Sequence, residues 1–67
     1  MSSFSEANQV RLMLKMKLSR HSWYSSSTVI SINDGFGVLI EVVYINNHIR
    51  KEIPPVINGV SVKTEIE

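Results

Sequence analysis

Nothing in this chain can be stapled by a covalent cross-link, because its 67 residues include no cysteine. A domain this short buries only about 60% of the surface that its unfolded chain exposes. Small domains commonly add a disulfide, a metal or a partner subunit. Disulfides are excluded here, and so is a zinc site built on thiolates. His21 and His48 are too few for a structural metal site. No metal and no cofactor is expected. Oligomerisation is the remaining common route, with a two-fold homodimer as the first expectation.

The apolar content (43%) is that of a folded domain rather than a disordered tail. The net charge of +1 gives no drive toward double-stranded nucleic acid. No apolar run approaches the ~20 residues of a membrane-spanning helix, and no basic region followed by an apolar leader opens the chain. Membrane anchoring is not expected, and a cytoplasmic location is the default expectation.

Ser3 and Glu6 have the spacing of a capping box, in which each side chain satisfies the other residue's backbone N–H. Good helix formers follow, and a helix is predicted from about 5 to 21. At about 100° per residue, Ala7, Val10, Leu14 and Leu18 share one stripe, while Leu12, Met13 and Met16 fall on roughly the opposite side. Arg11 and Lys15 form one polar margin between them, and Glu6 and Lys17 the other. One apolar face covers the chain's own sheet. The second, Leu12, Met13 and Met16, is predicted as an interface.

The serine-rich stretch 19–28 reads as the helix end and a loop, because serine competes for backbone hydrogen bonds. Residues 28–32 read as a strand. Asn33-Asp34-Gly35 reads as a tight hairpin turn. Residues 36–45 are apolar on both alternating faces and read as a central strand. Asn46-Asn47-His48 turns the chain, and 49–52 is short and mixed. Pro54 and Pro55 cannot continue a ladder. Asn58-Gly59 is a further turn signal. Val60, Val62, Thr64 and Ile66 read as the inward side of a last strand, with Ser61, Lys63 and Glu65 toward water. One α+β domain over 1–67 follows: an N-terminal helix packed on a three-stranded antiparallel sheet.

The segment Ile53-Pro54-Pro55-Val56-Ile57-Asn58-Gly59-Val60-Ser61-Val62 resembles the closing pattern of a small helix-plus-three-strand unit. That unit is found at the N-terminus of some bacterial trypsin-like and uncharacterised proteins. Leu18, Val29 to Ile32 and Ile40 to Val43 fit its order. The resemblance implies the fold. It carries over no catalytic residue, since no Gly-x-Ser-x-Gly motif occurs and the chain stops where a protease domain would begin.

No group of residues assembles an acid–base or nucleophilic site from sequence, and the chain is not expected to be an enzyme. Glu41, among apolar neighbours, reads as a sheet-face residue paired across strands with Lys63 or an arginine, with a buried carboxylate in a ligand or subunit interface as the alternative. The stretch 20–27 has more chemical character. Arg20, Trp23, Tyr24 and Ser26, joined by Arg50 and Lys51, are the parts of a site for an anionic, nucleotide-like ligand. A base would stack on an aromatic ring, and cations and hydroxyls would hold phosphate. The competing reading makes Trp23 a core residue. In size and composition the chain resembles compact phage-encoded proteins that sequester nucleotide signals. The alternative function is a protein-interaction module or inhibitor that docks through its helix or a sheet edge.

Overall fold

The computed structural model describes residues 3–33 and 35–67. The element order is α1 (Phe4–Leu18), β1 (Tyr24–Ile32), β2 (Gly35–Val42), α2 (Asn47–Glu52), β3 (Val56–Ile57) and β4 (Val60–Ile66). The predicted α+β class with an N-terminal helix holds. The sheet, however, has four strands in the order β1-β2-β4-β3. It is also mixed: β1–β2 and β3–β4 are antiparallel, and β2–β4 is parallel. A parallel pair needs a crossover of a dozen or more residues. The segment between β2 and β4 supplies it, because residues 47–52 form α2 rather than a turn and a short mixed stretch.

Both reciprocal bonds of the capping box start α1. The Glu6 N–H donates to Ser3 Oγ (3.1 Å), and the Ser3 N–H donates to Glu6 Oε1 (3.0 Å). The Ser3 N–H, and after it the Ser3 hydroxyl, hold the Glu6 carboxyl below its ordinary range. A lowered carboxyl pKa contributes stability at neutral pH, which is lost as pH falls through the folded-state value. The helix ends at Leu18, three residues before the predicted end, and His21 N–H closes a turn on Leu18 C=O. Asn46 caps α2 with a single bond, its side chain accepting from Ile49 N–H (2.9 Å).

Ala7, Val10, Leu14 and Leu18 bury the predicted stripe against Val38, Ile40 and Val42 of β2 and Val60 and Val62 of β4. Ile49, Ile53 and Trp23 complete this core. Ile66 does not join it, being 58% exposed. On the other face of the sheet, Ile30, Leu39 and Glu41 are only half-buried. The central strand is therefore covered fully on one side only.

The hairpin between β3 and β4 turns on Asn58 (φ 50°) and Gly59 (φ 79°), the left-handed pair that a two-residue turn requires. The predicted turn position Asp34 lies outside the described residues.

Gly37 marks the seam of the parallel pair. A Cβ placed there would lie 2.9 Å from the Ser61 carbonyl oxygen. Backbone rather than a flexible side chain blocks it, so β2 and β4 must part to admit a methyl group. Gly37→Ala is expected to destabilise the fold by about 1–3 kcal/mol in urea denaturation. A wild-type midpoint would contradict this close parallel approach.

Candidate binding groove beside the sheet edge

Among the described residues β1 is the outer strand of the sheet, and its ladder pairs with β2 alone. It begins at Tyr24, four residues before the predicted start, so the serines lie in a strand rather than in a loop. Pairing with β2 holds them there: Ser26 faces Glu41, and Ser27 faces Ile40. A bulge-like register shift falls between Tyr24 and Ser26.

Two adjoining hollows separate α1 from this edge. Arg11, Lys15, Tyr24, Ser25, Ser26 and Ser27 line one. Phe4, Asn8, Arg11, Ser27, Thr28 and Val29 line the next. As the helix residues ascend from 4 to 15, the strand residues descend from 29 to 24. The helix thus runs antiparallel to β1 and turns its 4-8-11-15 ridge toward the edge, at the i+3 and i+4 spacing of one face.

The groove is polar and cationic along most of its length. The Tyr24 hydroxyl donates to Ser27 Oγ (2.9 Å). Arg11 Nε donates to Asn8 Oδ1 (3.0 Å), which fixes the guanidinium on the groove side of the helix. Neither Arg11 nor Lys15 forms an ion pair with another described residue. Ser25 Oγ donates to the Glu67 carboxylate at the far end. Phe4 closes the opposite end, edge-on to Phe36 at 5.6 Å and 88°. Ser26 Oγ donates to Glu41 Oε1 (3.1 Å), so the cross-strand partner of Glu41 is a serine and not the expected Lys63 or arginine; Lys63 lies opposite Leu39 in the parallel pair.

The predicted ligand residues are not brought into one place. Tyr24 and Ser26 line the groove. Arg50 lines a separate hollow with Ile45, Ile53, Pro55, Val62 and Thr64. Lys51 and Arg20 are exposed and line neither side of the groove. Trp23 is 5% exposed and packs in the core. One face of its indole is stacked on His21, with centroids 4.7 Å apart and planes 15° off parallel. A base has no free face of Trp23 to stack on while the core is closed. Sequence reading passed over Arg11 and Lys15 as a polar margin. Their i,i+4 spacing was legible, but the hydroxyl-bearing strand beside them is a product of the tertiary fold.

Leu12 (43% exposed), Met13 (45%) and Met16 (82%) are exposed on α1, with Met13 also lining a hollow beside Val10, Asn58 and Val60. Among the described residues, no group of three or more His, Cys, Asp or Glu side chains is placed to hold a metal ion. No helix there is long and apolar enough to cross a membrane. Comparison with protein-family models, curated proteins and solved structures finds no match to this chain.

Proposed function

We propose that this chain is a non-enzymatic protein-interaction module that docks by adding a partner's extended segment to the edge of its sheet at β1. One observation carries the reading. The edge is nine residues long, Tyr-Ser-Ser-Ser-Thr-Val-Ile-Ser-Ile, with no charged residue and no proline. Edges of this length are ordinarily guarded by lysine, proline or a covering segment, because their unpaired backbone groups invite another strand. Here only the irregularity at Tyr24–Ser26 interrupts an open ladder. Strand addition draws its affinity from those backbone groups and its specificity from side chains flanking the edge.

This reading is favoured over nucleotide capture because Trp23 lies in the core and Arg50 lies in another hollow. The exposed Leu12, Met13 and Met16 supply a second contact surface. Methionine-rich patches adapt to varied apolar partners, and another copy of the chain is the simplest one.

Proline substitution tests the reading. Successive N–H groups along a strand point to opposite sides, so one of Ser27→Pro and Thr28→Pro removes a bond to β2 and the other removes an outward donor. Edge strands tolerate proline in the outward case. The variant that keeps the fold is expected to lose binding to random dodecamer peptides selected on the wild-type protein. Undiminished binding by that folded variant would overturn docking at β1.

A further inference from the structure

We infer that the segment added to β1 is acidic, with two carboxylate side chains two residues apart that settle on Arg11 and Lys15. The inference rests on docking at the β1 edge and names the chemistry of the partner.

The spacing of the cations supports it. Arg11 and Lys15 are four residues apart on α1, so they are separated by about 6 Å along the helix axis. Alternate residues on one side of a strand are separated by about 6.6–6.8 Å. The helix runs antiparallel to β1 and turns both cations toward the edge. A strand laid against β1 therefore presents side chains at the interval of the two charges. The hydroxyls of Ser25 and Ser27 lie beside them in the same groove. Carboxylates accept hydrogen bonds from both kinds of group. Of the two hydroxyls, that of Ser27 accepts from Tyr24 and keeps its own proton for a carboxylate, whereas that of Ser25 donates its one proton to Glu67.

The same charges argue against a second copy as the occupant. Antiparallel pairing of two β1 edges about a two-fold axis places both helices on one face of the joined sheet. The 4-8-11-15 ridge of each would then face the seam, bringing four cations together. An acidic strand neutralises the charge that self-pairing would concentrate. Beyond the two acids, Phe4 and Val29 are the apolar members of a hollow otherwise lined by Asn8, Arg11, Ser27 and Thr28.

The test is selection of random dodecamer peptides by display on the intact protein, read as the sequences recovered. Enrichment of Asp or Glu at two positions in i,i+2 spacing is the expected result. The Arg11→Glu/Lys15→Glu double variant is expected to bind those peptides about tenfold more weakly. Both changed side chains lie at the helix surface, and circular dichroism verifies the fold. Recovered peptides that dock at β1 without acidic preference, and that bind the double variant equally well, would overturn the acidic partner while leaving edge docking intact. Peptides that survive the edge-blocking proline would overturn both. Inorganic phosphate that shifts the Ser25 to Ser27 amide resonances while no acidic peptide binds would also overturn the acidic strand.

Discussion

Trp23→Ala is expected to cost about 3–5 kcal/mol of stability, the range for removing a large aromatic side chain from a packed core. A chain of this size has roughly 3–10 kcal/mol in total. The variant should therefore show a large fall in its urea midpoint or fail to fold at room temperature. The ring is 5% exposed, packs with the residues beneath α1 and is stacked on His21. The Trp23–Tyr24 peptide is pinned at both its polar groups as well: the Val43 N–H donates to Trp23 C=O (2.9 Å), and the Tyr24 N–H donates to His21 C=O (3.2 Å). Those bonds anchor the start of β1, so loss of the indole also loosens the edge strand at its entry. A folded Trp23→Ala protein with a wild-type midpoint would remove the tryptophan from the core and return it to the list of ligand-binding candidates.

The two faces of α1 make the second large contrast. Leu14 is 1% exposed, and Leu14→Ala is expected to cost about 2–5 kcal/mol. Met16, two residues along, is 82% exposed, and Met16→Ala should change stability by no more than about 0.5 kcal/mol. Equilibrium denaturation of the two variants at one protein concentration reads the difference. Equal losses would mean that the second stripe is also buried, and a fall in solution mass with Met16→Ala would assign that stripe to self-association.

The helix was legible because local chemistry and tertiary packing agree on it. Ser3 and Glu6 make the capping box, and the stripe of Ala7, Val10, Leu14 and Leu18 is the face that is buried. Asn58-Gly59 was legible for the same kind of reason, since two consecutive left-handed residues have few chemical solutions. The topology was not. α2 has six residues and buries only Ile49, too little to raise a helical period above the turn-forming Asn46 and Asn47. Without that helix the connection looked too short for a crossover, and an antiparallel sheet followed. The early start of β1 was hidden because serines carry little strand preference, and their extended backbone is imposed by the pairing with β2.

The candidate site was legible in part. Tyr24 and Ser26 belong to it, but their cationic neighbours do not come from nearby sequence. Arg20, Arg50 and Lys51 drew attention because they stand beside aromatic residues or one another. Arg11 and Lys15 reach the serines only because α1 folds back antiparallel over β1. Proximity across 10 to 16 positions is set by the direction of that packing, which single-chain patterning does not encode.

Residue-resolved amide hydrogen exchange along β1, in the free protein and with a selected peptide bound, tests the central claim most directly. An open edge predicts that amides from Tyr24 to Ile32 alternate between slow and fast in the free protein, the slow ones bonded to β2. Bound peptide should then slow the fast set without altering the slow one. Uniform protection of all these amides in the free protein, or an outward set that stays fast when peptide saturates the protein, would contradict docking at the β1 edge.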